Sequence, residues 1–456
     1  MPMMPRYVLS VLLLICTCTT AHAQLPQAYI DRLQFVLDST CTARNIKGAS
    51  AAVSVPGMGV WEGVYGESHA GTPIDPTMFL GVGSNTKTYV ATVLLKLQEQ
   101  GLVDLDDTVG TWVTHPNIDG QITIRQLLNH SSGINSYTNS VPWSNAVFSD
   151  VGQIWDPQDL LQYVGAPEFP AGTSWSYSNS NYLVAGLIIE AVTGGTLQDA
   201  LTDLVLTPAD LDSTQLYVQG TDALHIPHIW TDALEGYLED LIADYGYEHN
   251  SMMTAAWAAG GIMATAKDNA LYWTKLMEGD LLSTDSWAEM STTIPIGANT
   301  AYGLGIFRMA NFNGQTVWMH GGTNLGFINE NLGDPLTGVG ISVLTNQDSV
   351  SNNILLNAVV KELHQVTLDP TIGIAEASIE MFSVYPNPAT DVIHIDRPIG
   401  GSVELTVYDP IGRAVLRIPS IAPGEPIDVR ALPTGSYVLE LREGAVRSMG
   451  RLVIGR

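Results

Sequence analysis

Strand-forming sequence at both ends of one long stretch, with helix-forming sequence between, is the pattern that most limits the fold. Gly48–Val55 and Gly59–Tyr65 read as two strands of a hairpin, and Ala301–Arg308, Gln315–Met319 and Val339–Leu344 as later strands. Between them, Val90, Val93, Leu94 and Leu97 recur at helical spacing from Ser84 to about Gln100, and Gly101 stands where a C-cap belongs. Asn181–Val192 is a second strong helix, and helix-rich sequence continues to about residue 290. Residues 26–43 and 353–366 read as helices that open and close the stretch. The expected architecture is an α/β (α+β) domain, an antiparallel sheet flanked by helices and split by a helical insertion.

Charge marks where that unit ends. The chain has 456 residues, 19 Lys and Arg against 46 Asp and Glu, for a net charge of −27. From Met381 onward, 8 basic and 8 acidic residues cancel, so the whole excess lies upstream and a boundary falls near residue 380. Such acidity excludes nucleic acid as a partner, because phosphates require Lys and Arg. It also disfavours docking on anionic membranes.

The N-terminus reads as an export signal. Arg6 precedes an apolar run, Tyr7–Cys16, and small residues ending in Ala21-His-Ala23. This pattern predicts a signal peptide over 1–23, too short for a stable membrane span, which needs about 20 apolar residues. Lipidation at Cys16 or Cys18 is disfavoured by the bulkier Ile15 and Thr17 before them. Cleavage would leave Cys41 alone, so no intrachain disulfide is expected. A small semi-buried helix residue is the better account of Cys41 than a nucleophile.

The chemistry centres on Ser84-Asn-Thr-Lys87 at a helix start. An i, i+3 spacing puts both side chains on one face, with Cβ atoms about 5–6 Å apart. A serine hydroxyl becomes a nucleophile when a neighbouring base takes its proton, and a desolvated lysine can be that base. No other lysine has a serine three residues before it. Two further clusters follow in order, Tyr177-Ser-Asn179 and His320-Gly-Gly322, the second placed after the strand-like Thr316–Met319.

The ordered set Ser84-x-x-Lys87, Tyr177-x-Asn179, His320-x-Gly322 resembles the serine beta-lactamase and D-alanyl-D-alanine carboxypeptidase superfamily, in its class C-like branch. Ile122–Ile134, Pro170–Asn179 and Ala259–Thr265 agree with it, and the likeness spans roughly residues 26–366. The resemblance implies Ser84 as acylated nucleophile, with Lys87 and Tyr177 managing its proton. Asn179 would position Lys87 and a substrate carbonyl, and the N–H groups of Ser84 and Thr323 would form the oxyanion hole. His320, Gly322 and Thr323 would line the substrate side. No cofactor or metal is implied.

One departure narrows the substrate. Class C beta-lactamases usually carry Lys-Thr-Gly at the third motif, whereas this chain has His320-Gly-Gly322. A mostly neutral imidazole replaces the ammonium that grips a beta-lactam carboxylate. Such a histidine resembles that of peptidase and esterase members, and this substrate-side role is preferred to that of a core histidine bonded to backbone. H-E-x-x-H and G-x-S-x-G are absent, so zincin and α/β-hydrolase chemistry are excluded. His130 reads as structural, and Glu190 and Glu330 form no recognisable carboxylate pair.

The neutral tail alternates as strands at Val403–Tyr408 and Tyr437–Leu441, separated by Pro- and Gly-rich turns, as expected of an all-β sandwich. Val384-Tyr-Pro-Asn-Pro-Ala-Thr390, Gly412-Arg413 and Leu432–Val438 resemble the C-terminal sorting domain of type IX secretion cargo. That implies the type IX machinery as a partner, a Bacteroidetes-type source and a secreted or cell-surface product. The expected organisation is signal peptide 1–23, hydrolase domain 24–370, linker 371–381 and sorting domain 382–456. The leading reading is a secreted serine hydrolase using an acyl-enzyme on an ester, D-amino-acid peptide or related amide. A class C-like beta-lactamase is the second. A catalytically silent peptidoglycan-peptide or penicillin-binding protein is the third, disfavoured because Ser84, Lys87 and Tyr177 are all present.

Overall fold

The computed structural model describes residues 25–218, 224–232, 234–348, 353–369, 380–396, 403–409, 413–422, 424–443 and 446–455. The expected signal peptide, with Cys16 and Cys18, and most of the expected linker lie outside them. In chain order the main elements are helix α1 (Gln27–Ala43), strands β1 (Gly48–Val55) and β2 (Gly59–His69), and helices α2 (Thr86–Glu99), α3 (Asn179–Thr193), α4 (Asn250–Gly260) and α5 (Ala266–Glu278). Strands β3 (Phe307–Phe312), β4 (Gln315–Asn324), β5 (Phe327–Gly333) and β6 (Gly340–Thr345) follow, then helix α6 (Asn353–Thr367).

Early and late strands share one antiparallel sheet. Its order is Thr72–Pro73, β2, β1, β6, β5, β4, β3, Thr300–Tyr302, Ile294–Pro295. The join is β1 against β6, from Ala49 opposite Thr345 to Ser54 opposite Gly340. All eight residues of β1 are buried. Its small side chains let helices approach both faces. On one face α1 and α6 pack Tyr29, Leu33, Leu37, Val359 and Leu363 against Val53, Ile341 and Val343. On the other, α5 crosses β1, β6 and β5.

The helical insertion has its own core around α2. Thr86 through Leu95 are all buried, as expected of a helix surrounded on every side. Val90 and Leu94 meet Leu187 and Ile188 of α3 and Ala258 of α4 in one cluster. Each such aliphatic side chain contributes about 1.5–3 kcal/mol by leaving water, and Leu94→Ala would cost about 2–5 kcal/mol. Helix α2 ends where expected, with Gly101 at φ +70°.

Three expectations need correction. The strand expected over 301–308 is broken into Thr300–Tyr302 and β3, because Gly305 turns the chain at φ +74°. Strand β5 was not anticipated. His320-Gly-Gly322 lies inside β4 rather than after a strand.

The tail forms a separate all-β region. Seven strands from Glu380–Tyr385 to Val446–Ile454 make one ladder around a core that includes Ile393, Leu405, Leu439 and Leu452. That core shares no residue with the other two. Cys41 is fully buried, and burial pushes its thiol up to about 12, so it is inert at neutral pH. Among the described residues no helix is long and apolar enough to cross a membrane.

Candidate active site

Ser84 occupies a single 3₁₀ turn, Gly83–Asn85, leading directly into α2. The turn packs edge-on against β4. Gly83 adopts φ +46°, and a Cβ there would lie 2.7 Å from the Thr323 nitrogen. A Cβ on Gly322 would come within 2.2 Å of the Val82 carbonyl and 2.6 Å of the Ser84 nitrogen. Both glycines are therefore demanded by close approach of backbones, the Ser84 turn lying directly against β4 at Gly322 and Thr323.

One turn along the same helix face, Lys87 is fully buried. Its Nζ donates to Ser84 Oγ at 3.1 Å and to the Ala259 carbonyl at 2.6 Å. It lies 4.9 Å from the Tyr177 ring centre and 5.5 Å from that of Tyr182. Burial drives the Lys87 amine well below its usual range. Helix α4, which supplies Ala259, is kinked at Trp257, whose φ of +37° is strained for a bulky side chain.

Tyr177 precedes α3 and keeps some surface, but its hydroxyl is buried. The oxygen faces Ser84 closely enough to interact, without completing a well-formed hydrogen bond. Burial pushes the Tyr177 phenol up, only partly offset by Ser84. Asn179, the first residue of α3, donates through Nδ2 to Thr138 Oγ1 at 2.8 Å, and its N–H donates to Ser136 Oγ at 3.1 Å. It makes no bond to Lys87. The expected positioning of Lys87 by Asn179 is thus replaced by the Ala259 carbonyl.

The expected substrate-facing role of His320 is also corrected. Its side chain is 1% exposed. Nδ1 donates to the Gly321 carbonyl at 2.7 Å and Nε2 accepts from the Tyr302 hydroxyl at 3.1 Å, a tautomer assigned from these partners. Burial, then Lys87, lower the imidazole to about 3, against the Gly321 bond, so it stays neutral. It supports the strand from behind, while Thr323 reaches the surface.

Sequence reasoning missed the polar chain beneath the nucleophile. Asn85 Nδ2 donates to Asn269 Oδ1 at 2.8 Å, Asn269 Nδ2 to Asn331 Oδ1 at 2.7 Å, and Asn331 Nδ2 to the His320 carbonyl at 3.0 Å. Asn329 Nδ2 donates to the carbonyls of Gly81 and Gly322. Helix, turn and strand are thereby tied together by a chain of buried amides, in which only Asn85 Oδ1 lacks a partner, an arrangement that fixes geometry. His130 lies closer to the site than its reading as a structural residue implied. Its ring is 4.3 Å from that of Tyr177. Its Nδ1 accepts from the Ser178 N–H and the Asn181 amide.

A cavity of about 280 Å³ opens over Ser84. Asn179, Thr323 and Asn324 contribute polar groups, while Tyr137, Trp143, Phe148, Met252 and Leu325 make it largely apolar. His320 and Lys87 are not among its lining residues. A hydroxyl against a sealed, weakly basic amine, on a turn pressed close to the backbone of β4, is equipped for acyl transfer.

Comparison with known proteins agrees with this chemistry. Residues 27–364 match the Beta-lactamase family, and residues 383–455 match the secretion system C-terminal sorting domain. The putative penicillin-binding protein PbpX of Bacillus subtilis is 28% identical over 242 residues, 51% of this chain and 54% of its own length. Protein flp of Staphylococcus aureus is 26% identical over 334 residues, 70% of this chain and 63% of its own length. The chain thus spans under two thirds of the length of these curated relatives. Among solved structures, a D-stereospecific amidohydrolase from Streptomyces is 30% identical with a TM-score of 0.59, covering 71% of this chain and 94% of that one. The D-amino acid amidase of Ochrobactrum anthropi SV3, at 23% identity, shares the fold with a TM-score of 0.66 over 75% of this chain and 99% of its own.

Proposed function

The chain belongs to the beta-lactamase family of serine hydrolases, and from that membership we propose that Ser84 forms an acyl-enzyme with an ester, a D-amino-acid peptide or a related amide. The observation that carries this reading is the fully buried Lys87 amine at 3.1 Å from Ser84 Oγ. Ser84 Oγ attacks the substrate carbonyl carbon while its proton passes to the Lys87 lone pair. The resulting oxyanion is held by the N–H groups of Ser84 and Thr323. Collapse breaks the bond to the leaving amine or alcohol, which takes the proton from Lys87. Water, deprotonated by the same amine, then releases the acid and restores Ser84. Tyr177, held as a phenol by burial, relays a proton or a hydrogen bond rather than serving as the base. Asn179 and Thr323 orient the substrate from the cavity wall.

Amide or ester substrates are favoured over beta-lactams because the third motif offers no ammonium, and the His320 side chain is buried away from the cavity. Likeness to D-stereospecific and D-amino acid amidases supports amide hydrolysis. Comparing kcat/KM on p-nitrophenyl esters and D-amino-acid p-nitroanilides with that on nitrocefin tests the ranking. Faster turnover of nitrocefin would favour the beta-lactamase reading.

The sorting-domain match marks the tail for export to the cell surface or medium through the type IX machinery. In our reading, residues 1–23 serve as signal peptide, 24–370 as hydrolase, 371–381 as linker and 382–456 as a sorting domain removed after export.

A further inference from the structure

Trp257 breaks the conformation of its own helix. Helix α4 runs from Asn250 to Gly260, yet Trp257 holds φ +37° and ψ −121°. That lies near the first central position of a type II′ turn, where glycine is the ordinary occupant. A bulky residue in such a conformation persists only where its surroundings over-determine it. Those surroundings are on α3. Trp257 is 6% exposed, and a Cβ on Gly186 would come within 2.6 Å of its Cζ3 and 2.8 Å of its Cη2. The missing side chain at Gly186 therefore makes the seat for the indole.

Beyond the kink, the last residues of α4 turn onto the start of α2. The Trp257 carbonyl accepts from the Gly261 N–H at 2.6 Å, the Gly260 carbonyl from Asn324 Nδ2 at 2.8 Å, and the Ala259 carbonyl from Lys87 Nζ at 2.6 Å. Thr86 Oγ1, one residue before Lys87, accepts from the Ile262 N–H at 3.1 Å. Ile262–Ala264 already runs as a strand beside Leu80–Gly81, so the Ala259 carbonyl has no helical N–H to serve it and is left for the amine. We propose that Trp257 is a positioning residue for Lys87: the indole, seated over Gly186, holds the strained turn that aims the Ala259 carbonyl at Lys87 Nζ. Helix α3 starts at Asn179, two residues after Tyr177, so the same contact ties the Tyr177 segment to the amine.

The assignment rests on the reading of Lys87 as the base, but its first test needs no turnover. The chain has six lysines, so lysine labelled with carbon-13 at Cε gives few NMR signals, and Lys87→Arg identifies the one sought. The titratable side chains around Lys87 are Tyr177, Tyr182, His130 and His320, and burial keeps all four neutral. The midpoint of the Lys87 signal therefore reads the amine and its acceptor. A carbonyl favours the ammonium over the amine, and its loss lowers that midpoint by about one pH unit or more. Trp257→Ala should show this shift, because alanine relaxes out of the turn. Trp257→Gly lacks the indole equally but adopts the turn without strain, and should keep the native midpoint. On p-nitrophenyl acetate, Trp257→Ala should lose about tenfold or more in kcat with little change in KM, and Trp257→Gly should restore most of it. A role in packing alone predicts that the two variants behave alike. An unmoved or raised midpoint in Trp257→Ala, or equal losses in Trp257→Gly, would overturn the assignment. Should Trp257→Ala fail to fold, Gly186→Ala, whose Cβ displaces the ring, must lower the midpoint in its place. A native chain inert on every ester and amide would instead strike the hydrolase reading.

Discussion

Lys87 Nζ sits 3.1 Å from Ser84 Oγ and is locked on its other side by the Ala259 carbonyl at 2.6 Å. The amine is fully buried, and its environment favours the neutral form. These two residues are three apart on one helix, yet the partner that fixes them comes from a kinked helix far along the chain.

In the proposed mechanism the neutral Lys87 amine is the base, so kcat/KM should fall as pH drops through the lowered Lys87 ionisation, well under the usual lysine range. Lys87→Arg keeps a cation that cannot release its proton. It should reduce kcat by about a thousandfold or more. A pH–rate profile of both proteins on a p-nitrophenyl ester checks this, and the variant should show no residual acid limb.

Gly322→Ala should damage activity more than stability. Its Cβ would press on the Val82 carbonyl and the Ser84 nitrogen, displacing the N–H that the proposed mechanism uses as an oxyanion donor. Loss of such a donor costs about a hundredfold or more in kcat. Parallel thermal melts and steady-state kinetics separate the two effects.

Replacing the histidine of the third motif by lysine should not create a beta-lactamase. The His320→Lys ammonium would lie among Tyr302, Phe307 and Tyr177, beside Lys87 and away from the cavity. Destabilisation of about 3 kcal/mol is expected, with no rise in nitrocefin turnover. Denaturant melts and a nitrocefin assay test both halves.

Glu330 supplies a pH signature for the fold. It sits on β5 between Gly321 and Val343, and burial raises its carboxyl to about 8. The folded state thus prefers the protonated acid. This contribution is complete below about pH 4.5 and is lost as pH rises through about 8. Glu330→Gln should match the native chain at pH 4 and exceed it at pH 9, by about 1–2 kcal/mol given the partial exposure of the residue. Urea melts at the two pH values read the difference directly.

Much of the architecture was legible because it follows apolar periodicity. The opening hairpin, helices α2 and α3 and the closing helix all lie within a few residues of where hydrophobic spacing placed them. Strand β5 escaped because its middle is Asn329-Glu330-Asn331, which reads as a turn. In the fold, the two asparagines are buried and bonded to neighbouring strands. Gly321 and Gly322 read as following the strand-like Thr316–Met319, whereas they continue β4, and at Gly322 the missing side chain lets the Ser84 turn touch the sheet. Ser84, Lys87 and Tyr177 converge as their ordered motifs implied. Ala259 acts through its carbonyl and carries no side-chain signal.

The central claim is that Ser84 is the acylated residue. Labelling the native chain with a fluorophosphonate, followed by peptide mass spectrometry, addresses it most directly. The account predicts a single adduct on the peptide containing Ser84, lost in Ser84→Ala and strongly slowed in Lys87→Arg. An unlabelled Ser84, or an adduct on another residue that persists in Ser84→Ala, would contradict it.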